Sequence, residues 1–158
     1  MSRPSQNCSG VFYFNRPIIL NRNSMPNSNL KAESFDHFTI VVADLEASRQ
    51  FYVDLLGLNQ AERPAFDFEG LWFGVGNMMM HLIKTNELSG PPGPRNDDTK
   101  KPSRGLHFAF QVSDASTAVD VIKKAGIEIV DGPKQRPDGA TQVFVRDPDG
   151  YLIELCSL

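Results

Sequence analysis

The sequence predicts an α+β fold in which one βαβββ module is used twice, and three observations carry that prediction. The octet His37-Phe-Thr-Ile-Val-Val-Ala-Asp44 is echoed by His107-Phe-Ala-Phe-Gln-Val-Ser-Asp114, each a histidine opening an apolar run with an aspartate seven residues on. A glycine follows at a matched distance, Gly57 20 residues after its histidine and Gly126 19 after. Each copy then closes on an apolar run that carries a potential ligand, Met80-His81-Leu82-Ile83 in the first and Leu152-Ile153-Glu154-Leu155 in the second. A repeat of this kind describes a supersecondary unit that needs its neighbour to bury its apolar face.

The elements follow in order. Residues 35–42 are rich in β-branched and aromatic side chains and read as a strand. Asp44 suits the N-cap of a helix carrying Leu45, Phe51, Tyr52, Leu55 and Leu56 on its apolar side, and Gly57 supplies the left-handed residue that stops it. Short strands are predicted over 58–63, 66–68, 71–75 and 78–83, with Pro64, Gly70 and Gly76-Asn77 as breaks. Residues 86–105 hold four prolines and three glycines and read as a linker. The second copy repeats the pattern: a strand over 106–112, a helix capped by Asp114, and strands over 127–130, 141–145 and 151–155. Asp147-Pro148-Asp149-Gly150 has turn chemistry, so its carboxylates need no catalytic role. The chain therefore divides into a leader (1–34) and a single domain (35–157), made of module one (35–85), the linker and module two (106–157).

Composition sets limits on partners. With 16 basic and 19 acidic residues the net charge is −3, which favours neither nucleic acid nor an anionic membrane surface. No apolar run approaches the roughly 18 residues that span a bilayer. The leader differs from the rest: it is rich in Asn and Ser, and residues 1–32 contain Arg3, Arg16, Arg22 and Lys31 but no acid. It reads either as a targeting segment for a mitochondrion or plastid or as a plain extension of a cytoplasmic protein. Two cysteines, Cys8 and Cys156, form no framework pattern and point to a reducing compartment.

Strand alternation places the candidate ligands. His37 shares a face with Thr39 and Val41, His81 with Met79 and Ile83, His107 with Ala109 and Gln111, and Glu154 with Leu152 and Cys156. The opposite faces carry Phe38, Ile40 and Val42 in one copy and Phe108, Phe110 and Val112 in the other, which suits them to burial under the helices. A lone strand histidine is ordinarily a hydrogen-bonded structural residue. Here every histidine falls at a repeat-matched position on the less apolar face, and a carboxylate amid aliphatic residues is costly to bury unless a cation compensates it. Metal binding is the reading this correlation favours.

These residues resemble the vicinal oxygen chelate superfamily. The resemblance rests on His37, on Asp44-Leu-Glu-Ala-Ser-Arg-Gln-Phe51-Tyr52-Val-Asp-Leu-Leu56-Gly57, on His107 and on Asp147-Pro148-Asp149-Gly150-Tyr-Leu-Ile-Glu154, and it covers residues 35–157. It is nearest to the glyoxalase I-like branch, through the segment from Arg63-Pro64 to Trp72-Phe73. It implies a half-open, metal-centred β-barrel with the helices outside. One divalent ion, Zn, Ni, Co, Mn or Fe, would be held by His37, His81, His107 and Glu154. His81 stands where glyoxalase I commonly has glutamate. The implied reaction is lyase or isomerase chemistry on a small-molecule substrate with adjacent oxygens. The type reaction is hemithioacetal isomerisation through a metal-bound enediolate, with glutathione as cosubstrate and Glu154 as the base. Thr39, Trp72, Met79 and Gln111 are the candidates to contact substrate, and a homodimer is expected. An arginine that glyoxalase I has four residues after its first ligand is Val41 here, leaving Arg49, Arg63, Arg95 and Arg146 as possible replacements. The same resemblance admits an Fe(II) dioxygenase, a thiol transferase of the fosfomycin-resistance type, or a metal-free binding protein of the bleomycin-resistance kind.

Overall fold

The computed structural model describes residues 31–95 and 100–158. The expectations for Cys8 and the rest of the leader up to residue 30 lie outside the described residues. Both modules lie within the compact unit Ser34–Leu158. Module one runs β1 (His37–Val42), α1 (Leu45–Arg49) continued as a π-helix over Gln50–Leu55, β2 (Asn59–Ala61), β3 (Gly70–Val75) and β4 (Met78–Lys84). Module two runs β5 (Phe108–Gln111), α2 (Ala115–Lys124), β6 (Ile129–Gln135), β7 (Thr141–Arg146) and β8 (Leu152–Ser157). The sheets have the orders β1-β4-β3-β2 and β5-β8-β7-β6. In each, the first strand pairs in parallel with the last. That topology brings the beginning and end of each module, where its two ligand candidates lie, onto neighbouring strands.

The repeated aspartates act as read from the sequence. Asp44 accepts from the Glu46 and Ala47 amides at 2.8 and 3.1 Å, and Asp114 from those of Ser116 and Thr117 at 2.7 and 3.4 Å. Each cap satisfies donors that would otherwise be orphaned at the helix start, an effect of about 1 kcal/mol. Gly57 and Gly126 end the helical segments, both with φ of +73°.

Three local readings are corrected. Residues 66–68 form no strand; the ring of Phe66 stacks on Phe68, and the Arg63 guanidinium lies 4.8 Å from both ring centres. Gly70 is no turn but the first residue of β3, where a Cβ would come within 2.3 Å of the Leu82 carbonyl oxygen. The glycine is there for close approach of two backbones. Strand β6 runs past Gly132-Pro133 to Gln135, with two register shifts against β7, the second of them, between Asp131 and Lys134, spanning the proline that supplies no amide.

The two sheets share one core. Val42, Tyr52, Phe73, Met80 and Leu82 of module one join Phe110, Ile122, Val143 and Ile153 of module two, all buried. Phe38 stacks on Phe108 with ring centres 4.5 Å apart. Three polar latches cross between modules. Tyr52 Oη donates to Asp147 Oδ2 at 2.7 Å, Tyr151 Oη meets both backbone groups of Val41, and Asp149 Oδ1 accepts from the Ala43 amide at 2.9 Å. The apolar faces hold the chain together, leaving the histidine faces for other work.

Candidate metal centre

Module two supplies a compact donor pair. Glu154 on β8 lies opposite Ala109 of β5 and Phe144 of β7 and is only 4% exposed. Its Oε2 stands 3.0 Å from His107 Nε2. The other ring nitrogen, Nδ1, is 2.8 Å from the Gly105 carbonyl oxygen, which can only accept, so Nδ1 carries the proton. In the neutral ring Nε2 is then a bare lone pair facing a carboxylate oxygen. A proton on Nε2 as well, making an imidazolium, or a metal ion beside the pair would make that contact favourable. The pair offers one imidazole and one carboxylate that could serve as donors to a divalent ion. Glu154 Oε1 is buried without a hydrogen-bond partner. Arg136 Nη1, at 3.6 Å, offers it long-range compensation.

Module one supplies a second pair. His37 opens β1, its side chain 44% exposed, and its Nδ1 donates to Asp36 Oδ2 at 2.6 Å. A carboxylate on one ring nitrogen fixes the tautomer and leaves Nε2 free, the arrangement usual behind metal-bound imidazoles. His81 lies opposite Thr39 on β1 and Trp72 on β3. Its ring is sandwiched: Trp72 covers one face at 4.1 Å and 8°, and His37 the other at 4.3 Å and 20°. Partial burial, and then the neighbouring His37, lower the pKa of His81 below the ordinary imidazole value.

The four expected donors thus occur as two pairs, His37 with His81 and His107 with Glu154. Among the described residues no three His, Cys, Asp or Glu side chains converge as a metal cluster. Thr39, Trp72 and Met79 flank the first pair, Met79 lying opposite His37 across the β1–β4 ladder. Gln111 belongs to the second module, exposed and opposite Cys156. A cavity of about 730 Å³ between the 67–69 segment and the 83–89 stretch contains none of the histidines. That is expected if each half is an open face rather than a closed pocket. Of the arginines considered from the sequence, Arg49 is held by Glu46 and Asp54, Arg63 by the Phe66–Phe68 pair, and Arg146 by the Gly150 carbonyl. The arginine beside the centre is Arg136, which the sequence reading missed. Its position just past β6, two residues after Lys134, was the available signal.

The profile of the Glyoxalase/Bleomycin resistance protein/Dioxygenase superfamily matches residues 34–155. The chain belongs to that superfamily. A Synechocystis protein named "Probable lactoylglutathione lyase" is 35% identical over 124 residues, covering 75% of this chain and 91% of that protein. A "Lactoylglutathione lyase" of Neisseria meningitidis serogroup B is 32% identical over 125 residues, covering 75% and 86%. Among solved structures, a glyoxalase/dioxygenase from Nostoc punctiforme has a TM-score of 0.67 at 30% identity and covers 84% of this chain and 98% of its own. The superfamily's fold of paired modules is the one observed here, with two four-stranded sheets that remain unclosed within the chain.

Proposed function

We propose that this chain is a metal-dependent lyase of the glyoxalase I kind, isomerising the hemithioacetal formed between glutathione and a small 2-oxoaldehyde. The observation that carries the proposal is the His107–Glu154 pair, a buried carboxylate faced at 3.0 Å by an imidazole nitrogen whose proton sits on the other side of the ring. The relatives named lactoylglutathione lyase support the same reaction. His37, His81, His107 and Glu154 are the candidate donors for one divalent ion, with Zn, Ni, Co, Mn and Fe all compatible with imidazole and carboxylate donors. When bound, such an ion supplies Lewis acidity to two adjacent substrate oxygens. Glu154 is the residue placed to move the proton: Oε1 has no hydrogen-bond partner and can take a proton from one carbon and return it to the next. Arg136 Nη1 lies 3.6 Å from that oxygen. Trp72 and Met79 offer an apolar wall beside Thr39, and Gln111 a polar group on the other half.

The same proposal includes a homodimer in which the half-sites of two copies face each other. The donor pairs lie on separate sheets, and the shared core lies on the faces opposite the histidines, so a second copy is the natural source of the missing half. Among the described residues no helix is long and apolar enough to cross a membrane. Among the described residues Cys156 forms no disulfide, and the proposal places the protein in a reducing, cytoplasmic setting.

Two measurements test this. The purified chain, loaded in turn with Zn, Ni, Co and Mn, should form thioester from the hemithioacetal; no turnover with any of them overturns the reaction. Catechol ring opening under Fe(II), or metal-free binding of a planar antibiotic, would replace it. For the shared site, His37→Ala and Glu154→Ala variants should each be inactive alone. Mixed and allowed to exchange subunits, they should regain about a quarter of wild-type activity, because half the dimers then hold one intact site of two. No recovery overturns the shared site.

A further inference from the structure

We infer that His81 is a positioning residue rather than a metal ligand, and that the centre takes three protein donors, His37, His107 and Glu154. The inference rests on the reading of a metal centre given above and departs from the four-donor set that the resemblance implies.

An imidazole nitrogen binds an ion through a lone pair lying in the ring plane, at roughly 2.1 Å. The rings of His37 and His81 are nearly parallel, with centres 4.3 Å apart and planes 20° from each other. One ion cannot lie close to both planes at that separation, so as arranged only one of the two rings can serve. Two observations choose His37. Its Nδ1 is already engaged by Asp36, which turns Nε2 outward, and its side chain is 44% exposed. His81 is pinned on its far face by Trp72, nearly parallel at 8° and 4.1 Å, and turning it toward an ion would break that stack. Phe66 backs the indole at 5.9 Å and completes a wall of rings behind the histidine. Held this way, His81 fixes the plane in which His37 presents Nε2. The smaller donor set leaves an additional coordination position for substrate oxygens or water.

The test compares Co(II) affinity and the visible Co(II) spectrum of the full chain in four forms: wild type, His81→Phe, His81→Ala and His37→Phe. Phenylalanine keeps a flat ring between Trp72 and His37 but has no lone pair. His81→Phe should bind Co(II) within about threefold of wild type, with an unchanged spectrum. His81→Ala should lose about tenfold, the scale typical of losing a group that orients a ligand, and the Phe variant is then its rescue. His37→Phe should lose at least about 100-fold, the upper end of that scale. Trp72 is the chain's single tryptophan, so its emission reports whether the stack survives in each form. If His81→Phe loses as much affinity as His37→Phe while Trp72 emission is retained, His81 is a ligand and the inference is wrong. If His81→Ala binds as wild type does, the positioning role is wrong. If the wild type takes up no Co(II), the metal reading beneath both fails, which is a distinguishable result.

Discussion

Glu154→Gln separates a metal ligand from a structural carboxylate because the two roles predict stability changes of opposite sign. Without an ion, and with the His107 ring neutral, Glu154 is 4% exposed, its Oε1 has no hydrogen-bond partner, and its Oε2 lies 3.0 Å from a nitrogen that cannot donate to it. Leaving a buried polar group unpaired costs about 1–3 kcal/mol, more when it is charged. Arg136 at 3.6 Å is partly exposed and offsets some of that cost, so a net of about 1–2 kcal/mol is reasonable. The glutamine amide has nearly the same shape, carries no charge and can donate to His107 Nε2. Metal-free Glu154→Gln should therefore be more stable than metal-free wild type by about 1–2 kcal/mol. In a chain of this size that raises Tm by about 2–8 °C.

Adding metal should reverse the order. An ion at a thousandfold excess over its Kd stabilises the wild type by about 4 kcal/mol, or roughly 8–16 °C. A hundredfold weaker site gains only about 1.4 kcal/mol at the same concentration. Thermal unfolding after chelator treatment and dialysis, with and without Ni(II) or Zn(II), reads all four states. A metal-free glutamine variant less stable than wild type, or an equal metal-induced rise in both, would refute the reasoning.

Three further outcomes follow from the fold. Burial pushes the Asp147 carboxyl up to about 6 against the opposing hydrogen bonds from Tyr52 and the backbone. The folded state thus holds that proton more tightly than the unfolded chain. Its stabilising contribution is complete below the ordinary value of 3.8 and is lost as pH rises through about 6, a change of about 3 kcal/mol. Urea unfolding across pH 4–7 should show this fall in wild type and its removal in Asp147→Asn; parallel curves would contradict it. Tyr52→Phe leaves Asp147 Oδ2 without its donor in the interior, and should cost about 1–3 kcal/mol by the same urea measurement. Gly70→Ala places a methyl carbon 2.3 Å from the Leu82 carbonyl oxygen, so β3 and β4 must separate, costing about 1–3 kcal/mol or more. A Gly70→Ala variant as stable as wild type would mean the two strands part at no cost.

What could be read from the residues, and what could not, follows the range of the forces involved. Asp44 and Asp114 were legible because a cap acts on amides two and three residues away. The histidine faces were legible because strand alternation is local and both copies obey it. The 66–68 segment was misread because its phenylalanines have strand-like composition, yet they spend their faces on Arg63, a contact that composition does not encode. Gly70 was taken for a turn because its cause, the Leu82 carbonyl, is twelve residues away in sequence. The Trp72–His81–His37 stack lay beyond reach for the same reason. Each residue was a candidate singly, but only the β1–β4–β3 order sets the three rings face to face.

The latches between modules fix how a single chain presents its two candidate donor pairs. Asp147 and Asp149 sit in the turn between β7 and β8, immediately before the strand that carries Glu154. Asp147 accepts from Tyr52 beyond α1, and Asp149 from Ala43 just after β1, the strand that His37 opens. Tyr151 clamps Val41 in that same strand. The Asp-Pro-Asp-Gly turn therefore fixes the strand of one donor pair relative to the strand of the other. It does so from the apolar side, by contacts that touch neither pair. Loosening a latch should thus disturb the relation between half-sites before it disturbs either half. Tyr151→Phe should keep the Co(II) affinity of an assembled site within a few-fold while lowering the midpoint of unfolding. A loss of Co(II) binding as large as that of His37→Phe would show that the latch acts on the donors themselves.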